Sequence, residues 1–179
     1  MKTSLVLTAV GRDRPGLIRA IAQEVAAAGG DWLDSRMAAL AGQFVGVVQV
    51  AVPADAADAL AARLRALEAE GLRLTVEAGA HEASAAPAGR MLHIELLGHD
   101  RPGIVRDVSS LLAEHQVSVE ELETGTESGA FSGESLFRAR ACLRVPPTLP
   151  TDVLRGLLQT LGNELMVDVN LEEDEPARR

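Results

Sequence analysis

The 179 residues predict an α+β chain of two ferredoxin-like βαββαβ units in tandem, each an antiparallel sheet with its helices on one face. Three observations lead there. Gly11-Arg12-Asp13-Arg14-Pro15-Gly16-Leu17 recurs 87 positions later as Gly98-His99-Asp100-Arg101-Pro102-Gly103-Ile104. Apolar positions around the two segments keep step. Leu5 and Leu7 match Leu92 and Ile94; then, at an offset of 93, Phe44, Val50, Val52 and Pro53 match Phe137, Leu143, Val145 and Pro146. Finally, the hydrophobic period switches between two and 3.6 in the order strand, helix, strand, strand, helix, strand.

In the first copy, residues 4–10 alternate, with Leu5, Leu7 and Ala9 on one face. Residues 15–28 turn helical, with Leu17, Ile21, Val25 and Ala28 on one stripe, Asp13 as expected N-cap and Pro15 in the first turn. Gly29-Gly30 closes that helix. Residues 31–40 and 43–52 form two strands around the Ala41-Gly42 turn. Leu60, Leu64 and Leu67 mark the second helix, Gly71 ends it, and Leu72, Leu74 and Val76 alternate in a last strand. The second copy repeats the order, with strands near 92–97, 117–124, 135–145 and 165–171. Its helices carry Ile104, Val108, Leu111 and Leu112, then Val153, Leu157 and Leu161. Leu72 and Leu74 match Leu165 and Val167 at the offset of 93, and the change of offset falls in the Gly/Ser-rich stretch 125–133. The expected domains are 1–78 and 91–171, joined by an Ala/Ser/Gly/Pro-rich linker at 79–90 and followed by an acidic tail at 172–179.

Composition narrows the function. Hydrophobic residues at 47% and charged ones at 24% describe a globular chain. A net charge of −9 argues against nucleic-acid binding, and 2% aromatics leave no platform for stacking bases. No apolar run is long enough for a membrane span, and the first residues do not resemble a signal peptide, so cytoplasm is the expected compartment. The single cysteine, Cys142, excludes an internal disulfide and a thiolate metal cage. No P-loop, Gly-x-Ser-x-Gly elbow or zinc-protease motif occurs, and Gly11-x-Asp13-x-x-Gly16 lacks the second glycine of a dinucleotide fingerprint. No catalytic residue, cofactor or metal site is therefore expected.

Period-two reading gives each sheet an open face. In the first copy it carries Val6, Thr8, Val10, Val45, Val47, Gln49 and Ala51; in the second, His93, Glu95, Leu97, Arg138, Arg140, Cys142 and Arg144. An apolar face exposed to water is expected to be covered, so Val6, Val45 and Val47 are candidate interface residues toward another protomer, a partner or the other copy. The three arginines are expected to pair with Glu95, Glu120, Glu121 and Glu123.

The Asp-Arg-Pro-Gly turns lie where the first strand of each copy feeds its first helix. Free N–H groups at a helix start attract a carboxylate, and Arg12, Arg14 and Arg101 can add charge-assisted bonds. Asp31, just after the helix, is expected near the loop as an ammonium partner. Turn and capping chemistry alone also accounts for these residue types.

The doubled unit with Gly-x-Asp-Arg-Pro-Gly after each first strand resembles tandem ACT-domain proteins. Residues 11–17, Gly29-Gly30-Asp31-Trp32-Leu33-Asp34-Ser35-Arg36-Met37 and Gly42-Gln43-Phe44 look like the glycine cleavage system transcriptional repressor family. The resemblance implies a non-catalytic regulator that binds a LysR-type activator, senses an amino acid such as glycine, and does not touch the operator directly. It implies side-by-side pairing of ACT modules, with a homodimer as one form. Ligand contacts would come from Gly11, Arg12, Asp13, Arg14, Pro15 and Gly16 with Asp31, and from Gly98, His99, Asp100, Arg101, Pro102 and Gly103 with Ser118. ACT sites often carry Asn where this chain has Asp31 and Ser118. The alternatives are a ligand-free dimerisation or scaffold module, and an acylphosphatase-like enzyme. The latter needs a water-positioning Asn, and Asn163 and Asn170 lie outside the second and third strands of either copy.

Overall fold

The computed structural model describes residues 1–79, 88–128 and 135–173. The chain divides into two compact units, Met1–Ala85 and Ala86–Arg179. The first contains β1 (Lys2–Arg12), α1 (Leu17–Ala27), β2 (Asp31–Leu40), β3 (Gln43–Pro53), α2 (Ala57–Ala66) and β4 (Leu72–Ala78). The second contains β5 (Arg90–His99), α3 (Ile104–Glu114), β6 (Ser118–Ser128), β7 (Ser135–Val145), α4 (Thr151–Leu165) and β8 (Val167–Glu173). The sheets run β2-β3-β1-β4 and β6-β7-β5-β8, and every neighbouring pair is antiparallel. Both units thus have the expected α+β ferredoxin-like topology.

Each core forms where one helical stripe meets one sheet face. In the first unit, Leu17, Ile21 and Val25 of α1 and Leu60 and Leu64 of α2 pack on Leu7, Val48, Val50 and Val52. In the second, Ile104, Val108, Leu112, Leu154 and Leu158 cover Leu92, Ile94, Leu143 and Val145. Each fully buried aliphatic side chain contributes about 1.5–3 kcal/mol, and no charged or polar residue is buried among the described residues.

Helix ends follow backbone geometry more than capping side chains. Asp13 is not the N-cap of α1. Gly16 is, at φ 96°, with no side-chain cap, and Pro15 sits in the turn ahead of the helix. Gly103, at φ 104°, does the same for α3. At the C-terminus of α1, Gly29 N–H donates to Ala26 O at 2.9 Å and Gly30 N–H to Val25 O at 3.0 Å, a Schellman closure with Gly29 at φ 67°. The α3 end repeats it through Gln116 N–H to Ala113 O at 3.0 Å and Val117 N–H to Leu112 O at 2.9 Å. There a glutamine holds the left-handed position, at φ 57°.

The last third of the second unit departs from the expected register. α4 buries Leu154, Leu158 and Gly162, not the stripe through Val153, Leu157 and Leu161; Val153 is exposed and Leu161 only flanks the core. The true stripe was hidden because its third member has no side chain. A Cβ on Gly162 would lie 2.7 Å from Val167 O, so the helix rests on β8 there by backbone contact. Leu165 belongs to α4, and β8 opens at Val167. The ladders pair Gly11 with Leu72 and Gly98 with Val167, so Leu72 matches Val167 and the offset is 95, not 93. An even slip leaves inward residues inward, so the pattern alone did not reveal it. Residues 80–87 of the expected linker lie outside the described residues, while Arg90 already opens β5 and donates to Thr151 Oγ1 at 3.0 Å. Residues 129–134 of the expected loop and 174–179 of the expected tail also lie outside, and Glu172 belongs to β8.

Candidate functional site

The Gly-x-Asp-Arg-Pro-Gly segments stitch three chain segments together at one end of each sheet. A Cβ on Gly11 would stand 2.5 Å from the Gly71 carbonyl oxygen, and one on Gly98 would stand 2.5 Å from Met166 O. Glycine there admits the turn between the second helix and the last strand. Asp13 N–H donates to Gly42 O, and Asp100 N–H to Ser135 O, both at 2.9 Å, which ties the loop to the end of the neighbouring strand. Arg14 donates to Glu70 O at 3.0 Å and lies 3.6 Å from the Glu70 carboxylate. Arg101 donates to Leu165 O and Glu164 O, each at 2.8 Å. Both guanidinium groups thus sit on the terminal carbonyls of a helical segment, at the negative end of its dipole.

Other donors remain for a ligand at the first loop. The first helical bond of α1 runs from Ala20 N–H to Gly16 O at 3.0 Å, so the N–H groups of Leu17, Ile18 and Arg19 have no partner within the helix. They border an open depression lined by residues 13–19 and Phe44. Arg19 lines it and forms no ion pair among the described residues, whereas Arg12, the last residue of β1, is not among the lining residues. The second unit differs. His99 replaces Arg12, and Asp107 takes the place of Ala20 in the first helical turn. Arg106 Nε lies 2.7 Å from Asp107 Oδ1; that hydrogen bond holds the Asp107 carboxyl below the usual carboxylate range and pushes Arg106 up. The first helix start thus keeps one unpaired guanidinium, Arg19, beside the Asp13 carboxylate, whereas its counterpart in the second, Arg106, is neutralised by Asp107.

Asp31 does not lie near the loop of its own unit. It opens β2 opposite Ala51, which pairs with Ser4, while the loop leaves β1 beyond Gly11. Seven residues of strand separate the two ends, about 23 Å. Asp31 instead forms an ion pair with Lys2 Nζ. Ser118 likewise opens β6 opposite Arg144, which pairs with Met91, at the end of the sheet away from Gly98. The right-handed strand–helix–strand crossover dictates this. A helix returning from the top of one strand delivers the next strand at the bottom.

The open sheet faces carry the expected contrast. Val10, Val45 and Val47 are exposed at 41%, 38% and 46%, with Val6 beside them. On the second sheet, Arg140 Nε meets Glu95 at 3.0 Å, Arg144 meets Glu120 at 2.9 Å and Arg138 meets Glu127 at 2.9 Å. The hydrogen bond from Arg144 holds the Glu120 carboxyl below the usual carboxylate range. Glu127 was not among the expected partners, because β6 was read as ending near 124.

A family model of the ACT domain matches residues 3–78, and a second ACT-domain model matches residues 93–149. A UPF0237 protein of Methanopyrus kandleri is 32% identical over 85 residues, spanning 48% of this chain and 89% of that protein. An unknown protein from Galdieria sulphuraria is 28% identical with a TM-score of 0.83, covering 98% of this chain and all of its own. A candidate glycine cleavage system transcriptional repressor shares the fold at a TM-score of 0.72 and 20% identity, covering 98% of this chain and 99% of its own.

Proposed function

Because the chain belongs to the ACT-domain family and carries two such domains in tandem, we propose that it is a non-catalytic regulator that senses a small amino acid, glycine or a close analogue. In this reading it represses transcription of glycine-cleavage genes by binding a LysR-type activator. The fold shared over both domains with a candidate repressor of that system supports this, and the acidic net charge speaks for a protein contact over an operator contact.

The observation that carries the sensing half is the asymmetry of the two helix starts. A carboxylate at the first loop, residues 11–16, would meet free N–H groups and the guanidinium group of Arg19. At the second loop, residues 98–103, it would meet Asp107 as well. The first loop is therefore the proposed ligand site, and the second a weaker one. Since Asp31 and Ser118 lie at the far ends of their own sheets, each can join a loop at a ligand only from an ACT unit other than its own. Isothermal titration with glycine and with serine at millimolar concentration tests this. Heat is expected from the wild type and from His99→Ala, and its loss or marked weakening from Arg19→Ala. Absence of heat from the wild type refutes sensing.

A ligand-free assembly module is the second reading, favoured by the exposed valines of the first sheet. Val45→Asp/Val47→Asp is expected to abolish assembly or partner capture without unfolding the chain. Unchanged light scattering and pull-down reject Val6, Val45 and Val47 as interface residues.

A further inference from the structure

The open faces of the two sheets meet water differently. On the second, Arg138, Arg140 and Arg144 each hold a glutamate, so that face is dressed by its own ion pairs. At the same ladder positions the first sheet has Val45, Val47 and Ala51. Its register sets Arg36, Val47, Thr8 and Thr75 in one row across β2, β3, β1 and β4. The row on one side holds Ala38, Val45, Val10 and Arg73, and the row on the other holds Asp34, Gln49, Val6 and Glu77. The centre of this face is apolar, with Val10, Val45 and Val47 exposed.

The charges lie at its margins. On β2, Arg36 pairs with Asp34. On β4, Arg73 and Glu77 stand on opposite sides of the middle row, about 13 Å apart along the strand and too far to meet within one copy. Glu77 forms no ion pair among the described residues, and Arg73 reaches Glu68 only at 3.8 Å.

We propose that this face pairs with the same face of a second copy of the chain, sheet on sheet, about a two-fold axis that crosses the strands at the Thr8–Val47 row. Such an axis keeps each strand over its own mate and reverses its direction. Val10 then faces Val6, Val47 faces itself, and Arg73 of each copy faces Glu77 of the other. Arg36 meets its own mate, with the Asp34 of each copy alongside to offset the like charge. A two-fold axis along the strands would instead lay β2 over β4 and set Glu77 against Asp34. A face like that of the second sheet is a poor partner, because valines would strip its ion pairs of water. Four strands of about nine residues offer about 1,100 Å² over the two copies, enough for a reversible dimer. The pairing rests on the reading of these valines as an interface and gives that interface its occupant.

Sedimentation velocity of the full chain over about 1–100 μM tests it. A reversible dimer is expected, converted to monomer by Val45→Asp/Val47→Asp. Arg73→Glu and Glu77→Arg should each weaken it at least about fivefold, since each spoils two cross-copy pairs. The double variant Arg73→Glu/Glu77→Arg should return it to within about twofold of wild type. Far-UV circular dichroism confirms that the variants are folded. No effect of the single swaps, no restoration in the double, or a dimer that the valine variant leaves intact overturns the pairing. A chain that stays monomeric also overturns it. Partner capture by pull-down then decides the underlying reading separately: capture lost in Val45→Asp/Val47→Asp makes another protein the occupant, and unchanged capture removes the interface itself.

Discussion

Gln116 holds a backbone position that its counterpart in the first unit gives to glycine. It lies at φ 57°, 87 residues after Gly29 at φ 67°, and both close a first helix with the same pair of hydrogen bonds. The Gln116 side chain is exposed and makes no hydrogen bond, so Gln116→Gly removes little besides a Cβ. A left-handed L-residue costs about 1–2 kcal/mol, and the added backbone freedom of glycine in the unfolded chain returns about 0.5–1 kcal/mol. The net expectation is stabilisation of the second unit by about 0.5–1 kcal/mol, or about 3–6 °C in Tm for a domain of this size. The reciprocal Gly29→Gln should destabilise the first unit by a similar amount. A Cβ there would meet only the Pro53 ring at 3.9 Å, so strain of the backbone is isolated from packing. Trp32 is the single tryptophan and packs on the first core, so its fluorescence reports the first unit, while far-UV circular dichroism reports both. A Gln116→Gly protein no more stable than wild type, or a Gly29→Gln protein with an unshifted fluorescence transition, would refute the argument.

Gly11→Ala should cost about 1–3 kcal/mol, as overpacking does, because its Cβ would collide with a backbone carbonyl that cannot yield; urea unfolding followed by Trp32 fluorescence measures it. Glu120 is held in its charged form by Arg144, so its carboxyl titrates lower in the folded than in the unfolded chain. Its contribution is present above the ordinary carboxylate range and fades as pH falls through the depressed value. Glu120→Gln should therefore flatten the acid limb of the stability curve, read from Tm between neutral and acidic pH. Arg101→Ala should free the last carbonyls of α4 and destabilise the second unit by about 1–3 kcal/mol, read from urea unfolding followed by far-UV circular dichroism.

The duplication, the element order and the inward residues of six strands were legible in the sequence, because period and turn chemistry are local. Leu5, Leu7 and Ala9 alternate wherever they are placed, and Ala41-Gly42 turns because of its own backbone. Three things were decided only in three dimensions. The α4 stripe runs through Gly162, whose contact with Val167 O is made by the absence of a side chain. The motif arginines serve carbonyls some 56 and 64 residues away, a partnership without local signature. Asp31, fifteen residues past Gly16 in sequence, stands at the other end of the sheet, because a helix carries the chain back across the full length of the strand before β2 begins. Residue spacing encodes which face a side chain takes; which end of the sheet it reaches depends on how the segments pack around the crossover.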